Sequence, residues 1–318
     1  LLKDAVKPNL MQTIEHTPGL VHTGPFANIA TGNSSVLADM VGVKSTDFVV
    51  TESGFGADMG AEKFMNIKCR YSGMKPDAVL MVCSIRALKM HGGEYTVRPG
   101  QPLDPKLFEE NPEEVRRGCA NLEKHIENIH AYGIPVVVAI NRFDSDSDSE
   151  IRVVKEIGKK AGAHSVVISE TWAKGGEGAV EMAEAIADAA EQPSSFQPLY
   201  PDDLSIKEKI ETVARKMYGA GDVNYTSLAN RQIQRFTDLG YGKLPVCMAK
   251  TPLSLSHRGS LKGRPEGFEV PVREVGLSAG AGFIYVLLGN ILTMPGLPST
   301  PGGTRVDIDE NGKIRGLF

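Results

Sequence analysis

Two large aromatics stand where a parallel sheet would hold a ligand. Phe143 follows the apolar run 134–140 (IPVVVAI), and Trp172, the only tryptophan, follows the run 165–169 (SVVIS). In an open parallel sheet, ligands collect beyond the C-terminal ends of the strands. Right-handed crossovers could set the two strands side by side, with the rings facing each other across one cleft. Such a pair would grip a flat heteroaromatic ligand. The plain alternative is that both rings fill core space. A second candidate is Lys89-Met90-His91-Gly92-Gly93, which follows the run 77–86 (DAVLMVCSIR). A lysine and a histidine at a strand end could bind an anion or move a proton, or simply sit in an exposed turn. A third is Glu52-Ser53-Gly54-Phe55-Gly56-Ala57-Asp58, whose glycines allow a sharp turn or close backbone approach to a ligand.

Other patterns carry less. Asp144, Asp146 and Asp148 alternate with serine, but Ser149 stands where a calcium loop needs glycine and Lys155 where it needs glutamate. They read as a solvated loop feeding a helix. His125 and His130 are five apart on a helix and point in different directions. The charges along residues 123–127 read as a wet helix face. Neither G-x-x-x-x-G-K-[ST], nor a G-x-G-x-x-G after a strand, nor a G-x-S-x-G elbow occurs. Cys69, Cys83, Cys119 and Cys247 form no C-x-x-C pair, so no metal site is expected. Reduced cytoplasmic thiols are the plain reading.

The chain is 41% hydrophobic and 23% charged, which suits a folded enzyme-sized chain with several domains. Its net charge of −4 and lack of a basic stretch argue against nucleic acid or an anionic membrane as partner. No apolar run reaches membrane-spanning length. The first residues resemble neither a signal peptide nor a methionine start, so the chain is expected to be part of a larger protein.

The elements that must position these residues alternate. Residues 77–86 read as a buried strand, followed by a long loop containing Gly92-Gly93, Pro99-Gly100 and Pro102. A helix then opens with Asn111 as N-cap and Pro112 in its first turn. Val115, Cys119, Leu122, Ile126 and Ile129 make its buried stripe, and Gly133 ends it. Strand 134–140, helix 149–161, strand 165–169 and helix 177–191 follow. That order implies a parallel sheet covered by helices. Residues 34–44 read as a helix and 47–51 (DFVVT) as a strand continuing this sheet. Beyond Pro193 the texture changes to helices 203–218 and 226–239, strands 244–250, 267–272 and 283–288, and a hairpin at Asn311-Gly312. Boundaries fall near residues 110 and 200.

Residues 82–93 (VCSIRALKMHGG) resemble the signature of formate–tetrahydrofolate ligases. The likeness extends across residues 7–12 (KPNLMQ), 24–30 (GPFANIA), 51–64 (TESGFGADMGAEKF), 121–128 (NLEKHIEN), 172–178 (WAKGGEG), 244–251 (LPVCMAKT) and 294–298 (MPGLP). The resemblance implies an ATP-dependent synthetase that joins formate to tetrahydrofolate through formyl phosphate, giving 10-formyltetrahydrofolate, ADP and phosphate. It implies Mg with the ATP, a possible monovalent cation, a cytoplasmic setting and a homotetramer or dimer. The implied fold is α/β: a parallel-sheet core like that of P-loop NTPases, incomplete here, over 1–110. A second α/β domain over 111–200 would bind folate, and a smaller α+β domain would occupy 201–318.

Residue by residue, Phe143 and Trp172 match the aromatics that sandwich the pterin ring. Ile168 matches an apolar folate contact. Phe55 matches a residue near the adenine, and Gly56 and Asp58 share its loop. Asp144 stands where the family pattern has proline, a departure within the loop that follows Phe143. The family's phosphate-binding loop has no counterpart in these 318 residues. The expectation is therefore a C-terminal portion that does not make product alone, with Lys89 and His91 as the remaining catalytic candidates. The alternatives are a non-catalytic folate- or nucleotide-binding fragment, or a structural domain of a multifunctional one-carbon protein.

Overall fold

A computed structural model describes residues 3–22, 28–95, 102–294, 296, 299–310, 312 and 314–316. Of the stretches singled out above, residues 24–27, Pro99, Gly100, residues 295, 297 and 298, and Asn311 lie outside the described residues. The chain opens with an antiparallel hairpin of β1 (Asn9–Gln12) and β2 (Pro18–Val21). Helix α1 (Val36–Ser45) starts where the Ser35 hydroxyl accepts from the Ala38 N–H. The strand expected over 47–51 does not form, and Val50 is 86% exposed. A β-prone run becomes a strand only beside an edge that can pair with it. The nearest pairing is a single bridge between Asn33 and Ser53. Two π-helical turns, Ala57–Ala61 and Phe64–Lys68, lead into α2 (Cys69–Ser72), which Gly73 closes with φ +72°. The Lys68–Asp39 ion pair, 2.5 Å and buried, ties α1 to this segment.

The middle of the chain follows the expected alternation with one correction. Strand β3 (Val79–Cys83) stops three residues short of Arg86. Ser84 caps a new helix, α3 (Ile85–Gly92), by accepting from the Ala87 N–H at 3.3 Å. Lys89 and His91 therefore sit on a helix, not in a loop. Alanine, leucine, lysine and methionine after a serine cap favour that outcome. Helix α4 (Pro112–His130) has Asn111 as its cap, and its five-residue apolar stripe is buried throughout. Gly133, at φ +74°, lets the chain leave it. The charges at 123–127 are not uniformly wet, because Lys124 is buried and donates to the Lys216 carbonyl at 2.8 Å.

Strand β4 (Val136–Asn141), helix α5 (Asp148–Lys160) and strand β5 (Ser165–Ser169) come next. Ser147 and Glu150 form a capping box on α5. Helix α6 (Thr171–Lys174), a 3₁₀ turn over Gly175–Ala179 and helix α7 (Val180–Ala190) complete the unit. Strands β3, β4 and β5 are adjacent and parallel. Val136, Val138 and Ile140 of β4 join the core beneath α4 and α5. Val137 and Ala139 face the other way, against Ala189 of α7. The sheet is thus covered on both faces, which explains its nearly continuous apolar strands.

The last third holds α8 (Ile206–Val213), β6 (Asp222–Tyr225), α9 (Ser227–Asp238), β7 (Val246–Ala249), β8 (Glu269–Ser278) and β9 (Phe283–Leu288). Their sheet has the order β6-β8-β9-β7, with β8 antiparallel to β9 and the outer pairs parallel. One apolar cluster runs from Ala57 to Leu288 and joins both sheets. The C-terminal hairpin pairs β10 (Asp307–Ile308) with β11 (Ile314–Arg315).

Candidate functional site

Asn141 and Ser169 are paired at the C-terminal ends of β4 and β5, so Phe143 and Trp172 leave the sheet at the same edge. Trp172 lies in α6 and is 83% exposed, which rules out a core-filling role for it here. Phe143 is half-buried. Its backbone N–H donates to the Asp146 carboxylate at 2.9 Å, and the Arg86 guanidinium lies 3.8 Å from its ring centroid. The two rings are brought to one edge but do not stack on each other. Ile168 is paired with Ile140 one residue before the end of β5, and packs partly buried against the main core. The aspartates expected to be solvated are divided: Asp144 and Asp148 are exposed, whereas Asp146 is buried against Phe143.

The loop at 52–58 is built differently from its sequence expectation, since no strand precedes it. Phe55 adopts φ +63°, a left-handed backbone that side chains rarely take, and is 56% exposed. Such conformations persist where neighbours hold them, and they cluster at ligand clamps. The neighbours here are visible. A Cβ on Gly60 would collide with the backbone of Gly54, and one on Gly56 with Asp58 and His125. Asp58 is buried and accepts an ion pair from Lys250 at 2.6 Å, with His125 Nδ1 3.8 Å away. Burial alone would raise the Asp58 pKa, but Lys250 and His125 outweigh it and hold the carboxyl below its ordinary range. Burial lowers the His125 pKa. Lys250, just beyond β7, also donates to the carbonyls of Thr251 and Ser254. Asp58 is therefore the anchor of the loop, and Phe55 is what the loop presents.

Lys89 is fully buried in α3. Its three N–H groups meet three acceptors: the Glu150 carboxylate at 2.6 Å, the Glu109 carbonyl at 2.6 Å and the Leu107 carbonyl at 3.3 Å. Burial pushes Glu150 up, but the bonds from Lys89 and the backbone N–H groups of Asn111 and Ser147 bring it below its usual value. Lys89 thus ties α3, the turn over Pro105–Phe108 and α5 together, and its donors are already taken. His91 Nδ1 accepts from the Gly263 N–H at 3.1 Å. Burial, then Lys262 and His125, push its pKa down to about 4, so the ring is neutral near pH 7. It has no proton to give as a cationic acid there.

Three features were missed by sequence reasoning. Arg86 reads from sequence as a cation near a strand end, but its contact with Phe143 depends on the turn at Ser84. Lys250 follows an apolar strand, the same signal used for Lys89 and His91. Glu62, fully buried in the helical stretch 57–72, carried no signal, because charged residues at helical spacing read as a wet face. Among the described residues, no helix is long and apolar enough to cross a membrane, and no three His, Cys, Asp or Glu side chains could hold a metal ion.

Comparison with known proteins adds a family. Residues 1–318 match the family profile described as formate–tetrahydrofolate ligase. A formate–tetrahydrofolate ligase of Roseiflexus castenholzii is 56% identical over 317 residues, covering 100% of this chain and 56% of the relative. One from Roseiflexus sp. RS-1 is 57% identical with the same coverage. One from Desulforamulus reducens is 53% identical over 318 residues, again 56% of its length. The chain spans a little over half the length of these curated relatives.

Proposed function

This chain belongs to the formate–tetrahydrofolate ligase family, and we propose that it supplies the folate-binding wall and part of the nucleotide-binding wall of such an enzyme. The reaction is the ATP-dependent ligation of formate to tetrahydrofolate. Formate is a poor acyl donor, and its phosphorylation by Mg-bound ATP creates the leaving group that the folate amine displaces. The protein's tasks are positioning and charge stabilisation. In this reading the pterin lies between Phe143 and Trp172, with Ile168 as an apolar contact. Phe55 meets the adenine, while Gly56 and Asp58 set the loop that carries it. No residue of this chain is assigned to the phosphates, the Mg or a monovalent cation. Lys89 and His91 are read as supports of the site, not as reacting groups.

The observation that carries the reading is the exposure of Trp172 at the end of β5, beside the strand that leads to Phe143. An exposed indole at a strand end offers a flat apolar face on which a heteroaromatic ring can stack. Calorimetric titration of a full-length ligase carrying these residues tests the idea. Trp172→Ala should weaken tetrahydrofolate binding by about 1–3 kcal/mol, the range for a stacked ring, and leave ATP binding intact. Unchanged folate affinity in a folded variant would remove the proposal.

The division at residues 110 and 200 belongs to the same reading. It assigns 1–110 to a core like that of P-loop NTPases, 111–200 to the folate domain and 201–318 to an α+β domain. The sheet β3-β4-β5 ends before residue 200 and the sheet β6-β8-β9-β7 begins after it, which supports the second boundary. Hydrogen bonds between β3 and β4 cross the first. We also read the enzyme as a cytoplasmic homotetramer or dimer, which sedimentation of the full-length protein would distinguish from a monomer.

A further inference from the structure

We propose that Arg86 is a positioning residue of the folate site, holding the Phe143 ring from behind so that one face is kept for the pterin. The inference rests on the reading of Phe143 as a pterin-stacking residue. Arg86 stands in the first turn of α3, just beyond β3, and β3 pairs with β4, the strand that leads to Phe143. Its guanidinium carbon lies 3.8 Å from the Phe143 centroid and 5.6 Å from that of Phe108. At 3.8 Å the cation must cover a ring face, because an approach at the edge would leave it further from the centroid. Arginine is the residue suited to this contact, since its planar guanidinium stacks on aromatic faces.

The support is continued behind Arg86. Phe108 is flanked by Leu107 and Glu109, and the carbonyls of both accept from the buried Lys89 ammonium. The backing ring is therefore fixed to the same core as α3. On the other side, the Phe143 backbone is held by the Asp146 carboxylate. Arg86 also offsets part of the rise that burial gives the Asp146 carboxyl, so its charge acts on the carboxylate that holds the Phe143 backbone as well as on the two rings. A ring fixed at backbone and at one face loses little freedom when a ligand stacks on the other. That preorganisation is where the gain in affinity would come from.

The test is steady-state kinetics of a full-length ligase carrying these residues, with Phe143→Ala, Arg86→Met, Arg86→Lys and the double variant Phe143→Ala/Arg86→Met. Arg86→Met should raise the KM for tetrahydrofolate roughly 3- to 30-fold, the span of a partly desolvated cation–ring contact. The kcat and the KM values for ATP and formate should change less than about twofold, as a support of ground-state binding requires. Arg86→Lys should fall between, keeping the charge but losing the planar stack. It also carries the test should Arg86→Met melt early. If Arg86 acts through Phe143, the double variant should be no worse than Phe143→Ala alone. A KM unchanged by either Arg86 variant, or penalties that add in the double variant, would overturn the inference while leaving the folate reading standing. An unchanged KM in Phe143→Ala would instead remove the folate reading, and this inference with it.

Discussion

Glu62 has one carboxylate oxygen accepting from the Asn66 amide at 2.8 Å and the other buried without a hydrogen-bond partner among the described residues. Burial pushes its pKa from the ordinary 4.5 to about 7, with Asn66 and Lys63 offsetting only part of that. The folded state therefore holds a proton that the unfolded chain has released between those two values. Stability from this group is present below pH 4.5 and is lost as pH rises towards 7. At about 1.4 kcal/mol per unit, the loss is on the order of 3 kcal/mol across the window. His91 works against it. Its pKa is lowered from 6.5 to about 4, so its contribution is lost as pH falls through that range. The wild-type curve alone would blend the two. The difference between Glu62→Gln and wild type isolates Glu62, because glutamine keeps the volume and does not titrate. Urea unfolding from pH 4.5 to pH 8 should show the variant gaining on wild type up to about pH 7 and running parallel above it. Parallel curves throughout would mean that Glu62 is ionised in the folded protein at all these pH values.

Helices α3 and α4 show how much of the architecture was legible and where it was not. The α4 stripe, its Asn111-Pro112 start and the Gly133 exit could be read from periodicity and capping chemistry. So could strand β5, whose bounds match the expectation. The end of β3 could not, because Ile85 and Arg86 continue an extended-looking run and only the Ser84 cap marks the turn. The strand expected at 47–51 failed for the opposite reason: local propensity was present and a pairing edge was not. At the site, the positions of Phe143 and Trp172 were legible because strand ends follow from the pattern. The Arg86 contact was not, because it depends on the Ser84 turn that starts α3. Nor was the crossing of α3 and α4, which Gly118 decides. A Cβ there would collide with the carbonyl of Leu88, as one on Gly92 would with the carbonyl of Glu114. Gly→Ala within a helix normally stabilises by roughly 0.5–1 kcal/mol. Here the sign should reverse. Gly118→Ala is expected to destabilise by about 1–3 kcal/mol, as overpacking does. Part of that loss should appear as weakened folate binding, because α3 carries Arg86. A stabilised variant would show that the helices can separate freely.

On the scale of the whole molecule, α4 serves both sheets. Its apolar stripe packs beneath β4. A second row, at Asn121, Lys124 and Asn128, is also buried, and each residue donates to a carbonyl of the C-terminal third. Asn121 reaches Gly263 at 2.9 Å, Lys124 reaches Lys216 at 2.8 Å and Asn128 reaches Met217 at 3.0 Å. The spacing puts them on one face of the helix. Separating the two sheets would break three side-chain hydrogen bonds and expose an apolar cluster that is continuous from Ala57 to Leu288. Each such bond contributes about 0.5–1.5 kcal/mol net, and the exposed apolar surface adds to that cost. The sheets divide the chain topologically, but they should not unfold separately. Hydrogen exchange followed by mass spectrometry can check this on the full-length ligase. Amides of β4 and of β7 and β9 should open with the same free energy and the same denaturant dependence. The β1–β2 and β10–β11 hairpins, whose residues are largely exposed, should exchange through smaller openings. Lys124→Met gives the sharper test, since it removes one of the bridges and its ammonium while keeping most of the side-chain length. It should lower the opening free energy of β4 and β7 together. A variant in which β7 loosens while β4 keeps its protection would show that the two sheets are independent units joined only by sequence.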